Sequence, residues 1–130
     1  MIGSLGKNII FEVSDQKVLT FKDYSREISA KWETHNIIGK KAKSEFIGPE
    51  LQKITFTIHL NATYGVRPRK IIERLTGMVE KGTVERFVVG GKKIGRYYWK
   101  ITSMSEAWDI VLRDGEIIAA TLNLTLEEYL

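Results

Sequence analysis

Strict alternation of apolar and polar residues constrains this chain more than any other feature. Over residues 53–60, Ile54, Phe56, Ile58 and Leu60 occupy one parity and Thr55, Thr57 and His59 the other. Successive side chains of an extended strand point to opposite faces, so this run turns one apolar face to a core. The closing stretch repeats the pattern, with Ile118, Ala120, Leu122, Leu124 and Leu126 expected inward and Thr121, Asn123, Thr125 and Glu127 outward. Two such strands need neighbours and a covering layer.

Other segments supply them. Residues 9–13 and 18–21 are β-type runs around Ser14-Asp15-Gln16-Lys17, a predicted hairpin turn. Residues 26–34 alternate, with Ile28, Ala30 and Trp32 opposed to Glu27, Ser29, Lys31 and Glu33, and read as a half-buried strand. At Pro68 the period changes. Ile71, Ile72, Leu75, Met78 and Val79 recur at spacings of three and four, which predicts a helix over residues 68–81. Proline suits its first turn and Gly82 its end. Beyond it, Gly90-Gly91 splits residues 87–89 from 92–94 as a two-residue hairpin turn. Tyr97, Trp99 and Ile101 share a face of the next run, and Trp108, Ile110 and Leu112 a face of the one after it. Asp114-Gly115 is a further tight turn. The sum is seven or eight antiparallel strands and one helix. We expect a single α+β domain over residues 1–130, a partly closed β-barrel or split β-sandwich with the helix packed against it.

One segment resists this reading. Residues 33–48 join two strands and carry Gly39 and Lys40, Lys41 and Lys43, the composition of an exposed β-arm. Yet Ile37 and Ile38 sit in the middle of it. Burying each isoleucine is worth roughly 1.5–3 kcal/mol, a gain that an exposed excursion on a lone monomer forgoes.

Composition narrows the function. The chain has 43% hydrophobic and 28% charged residues, the balance of a soluble globular protein. It has no cysteine, which excludes disulfides and thiolate metal sites. The first fifteen residues hold no basic stretch ahead of an apolar run, and neither a signal peptide nor a transmembrane helix is expected. The net charge of +4 is unevenly spread. Residues 36–70 carry seven basic against two acidic groups and residues 71–105 seven against three, whereas residues 106–130 carry one against six. Such a division suits nucleic-acid contact, or a basic surface meeting the acidic surface of another copy.

The chemistry of catalysis is missing. His35 and His59 lie far apart in sequence without metal-ligand spacing, no nucleophile elbow occurs, and Gly90-Gly91 leads into a strand rather than a phosphate-binding helix. No enzyme activity, metal or cofactor is expected. The segment GGKKIGRYYWK interleaves cations with Tyr97, Tyr98 and Trp99 and makes a nucleic-acid-binding β domain the alternative from another class. Alternation, however, separates its aromatics from its cations, which favours core plus solvated face.

Taken together, IGSLG, FEVS…VLTF, W.THNIIG.KAK.EFIGPEL..I.F.I.L, G.RPRK and LTLEEY resemble the tail protein U family of contractile-tailed phages and phage-tail-like particles. The resemblance runs over nearly the full length. The turn VVGGKKIGRYY is more basic than the family pattern. The resemblance implies a tail-tube-like fold and a structural, non-enzymatic component of a virion tail or tail-like particle, assembled in the host cytoplasm. It further implies a homo-hexameric ring at the junction of tube and baseplate, of the tube-initiator type, with a terminator ring at the tail end as the alternative. The implied partners are further copies of the chain, the tail-tube protein, the baseplate hub protein and the tape-measure protein. Membranes and specific nucleic acid are not among them, although DNA passes through the lumen of such a tube. A head-to-tail contact closes into a ring of six when its rotation is 60°. In that setting the arm reaches an adjacent subunit. Ile37, Ile38, Lys40, Lys41, Lys43 and Phe46 are its expected contact residues, and Asp109, Asp114 and Glu116 the acidic surface they meet.

Overall fold

The computed structural model describes residues 2–7, 9–13 and 18–130. Residues 14–17, where the sequence predicts a hairpin turn, lie outside them. Among the described residues the chain runs β1 (Gly3–Leu5), β2 (Ile9–Val13), β3 (Val18–Leu19), β4 (Phe21–Glu27), β5 (Ala30–His35), β6 (Lys43–Pro49) and β7 (Lys53–Asn61). Helix α1 (Pro68–Lys81) follows, then β8 (Val84–Glu85), β9 (Phe87–Val89), β10 (Lys92–Lys93), β11 (Tyr98–Val111) and β12 (Ile117–Tyr129). The strands pair antiparallel into three sheets. The large sheet has the order β4-β7-β12-β11-β8, the small one β10-β9-β1-β2-β3, and β5 and β6 stand as a sheet of two.

The alternation at residues 53–60 is realised in β7, whose even-numbered residues Ile54 to Leu60 are all buried. Register places Ile54 opposite Leu126, Phe56 opposite Leu124, Ile58 opposite Leu122 and Leu60 opposite Ala120, so β7 and β12 share one apolar face. The start of β12 departs from expectation: Ile117 is buried and Ile118 only half-buried. Across the β11–β12 hairpin the register shifts twice, with Asp109 the extra residue on β11 and Ile118 the extra residue on β12, and the inward parity of β12 changes between Ala119 and Ala120.

Two single residues join the sheets at their edges. Thr20 separates β3 from β4, and Arg86 separates β8 from β9. In each place the chain turns from one sheet into the other, the corner geometry of strands that switch layers. The result is a curled half-barrel. Between its walls Phe11, Phe21, Phe56 and Phe87 interlock, with ring centroids 5.0 Å apart for Phe11–Phe21 and 5.5 Å for Phe56–Phe87. Helix α1 keeps its predicted bounds and packs Ile71, Ile72, Leu75 and Met78 into the same core, against β11 and β12. Gly82, at φ 65°, ends the helix with its N–H on the Met78 and Val79 carbonyls. The Gly90-Gly91 turn is also as predicted. Both residues have positive φ, which pairs Lys92 with Val89.

Three predicted strands differ from what forms. Residues 26–34 are not one half-buried strand; β4 stops at Glu27, β5 begins at Ala30, and every residue from 22 to 47 is exposed. The two runs predicted for residues 97–112 are a single fourteen-residue strand, β11. Its first part is buried at Trp99 and Ile101, whereas residues 105–112 are exposed without interruption. Tyr97 precedes the strand and is exposed, so it does not share the face of Trp99.

Candidate assembly surfaces

The β5–β6 hairpin is the first surface. Cross-strand pairs Trp32–Phe46 and Thr34–Ser44 occupy one face, Glu33–Glu45 and His35–Lys43 the other. The first face carries an edge-to-face aromatic pair, Trp32 and Phe46, with centroids 5.1 Å apart. The pair nevertheless stays 58% and 54% exposed. Ile37 and Ile38 lie in the connecting loop, 42% and 100% exposed, beside Lys40 and Lys41. Six-residue strands extend roughly 20 Å, so the loop is carried well away from the base of the hairpin. Lys40 donates its backbone N–H to the Ile37 carbonyl at 3.1 Å, while among the described residues no side-chain hydrogen bond or ion pair engages Lys40, Lys41 or Lys43.

The charged face brings together what linear spacing conceals. His35 Nε2 lies 2.8 Å from Glu45 Oε2, and Glu33 completes a cluster whose donor atoms all fall within 4.8 Å of one another. Three exposed donors fall short of the four that close a structural zinc site. Hairpin register creates this proximity.

The second surface is the far end of the β11–β12 hairpin. Trp108, Ile110, Val111 and Leu112 are each 44–51% exposed, where the sequence placed Trp108, Ile110 and Leu112 together on one strand face. Asp109, Asp114 and Glu116, the expected acidic contacts, are here and exposed. Asp109 Oδ2 accepts from Thr121 Oγ1 at 2.8 Å, and Asp114 Oδ1 from the Glu116 N–H at 3.1 Å. Arg69 reaches over from α1, donating to the Gly115 carbonyl at 2.9 Å and lying over the Trp108 ring at 5.9 Å. The chain thus sorts the predicted contact residues into two groups. Ile37, Ile38, Lys40, Lys41, Lys43 and Phe46 are on the arm, and Asp109, Asp114 and Glu116 at the hairpin end. Among the described residues no hydrogen bond or ion pair links the groups within one copy.

Thr121 has a single hydroxyl proton and gives it to Asp109, so its 3.1 Å contact with His59 Nδ1 has the imidazole donating. A catalytic triad needs the imidazole between acid and nucleophile; here the hydroxyl is in the middle. In GGKKIGRYYWK, Trp99 is 1% exposed with its Nε1–H on the Ile94 carbonyl and Arg86 lies over the Tyr98 ring at 4.6 Å, while Tyr97 and Tyr98 stay exposed. Among the described residues, no helix is long and apolar enough to cross a membrane.

Among the described residues, the half-barrel and its packed helix α1 leave two apolar surfaces exposed, one on the β5–β6 hairpin and one at the far end of the β11–β12 hairpin. Residues 8–130 match the Phage P2 GpU family, and the chain belongs to that family of phage tail proteins. Its role is structural, in the tail of a virion or of a phage-tail-like particle. Among solved structures it is similar to the tail of an empty GTA particle computed with helical refinement and C6 symmetry. The identity is 16% over 84% of this chain and 77% of that one, with a TM-score of 0.49. No individually curated protein matches the sequence.

Proposed function

We propose that the protein is a non-enzymatic ring component of a contractile tail, six copies closing at the junction of tail tube and baseplate as a tube initiator. The observation that carries this reading is the arm. A two-stranded sheet with an aromatic pair on one face and two isoleucines at its tip is exposed in a single copy at every residue but Gly48. Large exposed apolar patches on soluble proteins mark interaction sites. The arm is therefore an intersubunit contact, with Ile37, Ile38 and Phe46 buried against an adjacent copy and Lys40, Lys41 and Lys43 facing its acids. The partners beyond the ring are the tail-tube protein, the baseplate hub and the tape-measure protein.

Sedimentation of the purified protein, alone and then with tube and hub proteins, tests this. A ring, or a monomer converted to one by both partners, supports the proposal. Association with the tube alone replaces it with a terminator at the tail end. A monomer that ignores both partners and retains DNA at low salt replaces it with the nucleic-acid-binding reading.

A further inference from the structure

We infer that the exposed end of the β11–β12 hairpin is the receptor for the arm of an adjacent copy; the inference rests on the reading of the arm as an intersubunit contact. A ring needs two different patches on each subunit that fit one another, since a head-to-tail contact never pairs a patch with itself. The arm supplies one. Its partner has to be apolar enough to cover Trp32, Phe46 and the tip isoleucines, and acidic enough to receive three lysines.

The hairpin end meets both requirements. Trp108, Ile110, Val111 and Leu112 put four large apolar residues, each about half-exposed, within five positions, with only Asp109 between them. Two register shifts within four residues disturb the alternation that otherwise sends such side chains to opposite faces. Around them stand the acids Glu106, Asp109, Asp114 and Glu116 and two bases, Arg113 of the hairpin and Arg69 over the Trp108 ring, all exposed. Residues 36–43 of the arm carry Lys40, Lys41 and Lys43 and no acid. Arg67, Arg69 and Lys70 line the opposite, helical wall of the adjoining cleft, and Arg69 is held by the Gly115 carbonyl. The acidic wall is the hairpin's own. Two arms meeting face to face would instead bring three lysines against three, which disfavours a two-fold pairing through the tips. The sequence supplied the acids of this receptor but not its apolar floor, because it assigned Trp108, Ile110 and Leu112 to one strand face.

The absence of native cysteine permits a clean test in the full-length chain. Ile38→Cys and Ile110→Cys variants, distinguishable by a mass tag, are mixed and treated with a short bismaleimide. Ile10→Cys is the control, 43% exposed on β2 against 50% for Ile110. The receptor assignment expects the 38–110 adduct between copies to exceed the 38–10 adduct at least tenfold. It also expects Asp114→Lys with Glu116→Lys to lower that yield, and Lys40→Glu with Lys41→Glu to restore it. Equal yields of 38–110 and 38–10 adducts, or a dominant 38–38 adduct, overturn the receptor while leaving the arm an interface. A chain that stays monomeric at every concentration and gives no adduct in any mixture overturns both.

Discussion

The centre of the large sheet and the β5–β6 arm obey the same alternation and come to opposite ends. In β7 and β12 the apolar parity is sealed beneath the helix and the small sheet, with Ile58 and Leu122 facing each other and wholly buried. In the arm, Trp32 and Phe46 also face each other across two strands and remain more than half-exposed. Period-2 patterning therefore reports that a face is apolar. What covers it is a separate matter, decided by the rest of the chain in one place and, on the reading proposed above, by another copy in the other.

The comparison breaks most readily at its buried end. Leu122→Ala removes a side chain packed on every side and leaves a cavity, so the urea midpoint falls by an amount corresponding to about 2–5 kcal/mol. A loss under 1 kcal/mol would mean that the β7–β12 face is not the core. The converse holds at the tip of the arm. Ile37→Ser with Ile38→Ser leaves the circular dichroism and urea midpoint of the monomer unchanged, yet weakens self-association about a hundredfold or more by sedimentation. Loss of the monomer fold in that variant would show that the isoleucines belong to their own domain.

Gly3 sharpens the boundary between core and appendage. A Cβ at this position would lie 2.2 Å from the Val88 carbonyl oxygen, backbone of the paired strand β9 that cannot swing aside. Gly3→Ala therefore pries the small sheet from the core and costs about 1–3 kcal/mol in the same denaturation experiment. A neutral result would make the small sheet a second appendage rather than the cover of Phe21 and Phe56.

How much of this was legible follows from where each signal is written. The faces of β7, most of β12, the bounds of α1 and the Gly90-Gly91 turn follow from local pattern and came out as read. The end of β4 at Glu27 and the solvent on both faces of residues 105–112 did not, because both depend on where the covering layer stops. The shifts flanking Ile110 alter register without altering composition, so Ile117 and Ile118 exchanged roles unannounced. His35 beside Glu45 arises from hairpin register, which the spacing of histidines in one dimension cannot show. On the candidate surfaces the sequence pointed to Ile37, Ile38, the lysines and Phe46, but assigned Trp32 to a half-buried face.

Trp32→Ala is the smallest expected effect and the closest test of the comparison. An edge-to-face aromatic pair is worth about 0.5–1.5 kcal/mol beyond its buried area. In β12 such a loss would register in global unfolding, because those side chains are part of one cooperative core. In the arm it is spent locally. An isolated two-stranded hairpin is marginally stable in water, and one exposed at all but Gly48 opens without waiting for the domain. The substitution should therefore move the global urea midpoint by no more than about 0.5 kcal/mol, the range of ordinary surface changes. Amide exchange across residues 30–49 should meanwhile accelerate, with β7 and β12 unaffected. A global loss above 2 kcal/mol would place the arm inside the cooperative unit, and the contrast between the two alternating regions would no longer hold.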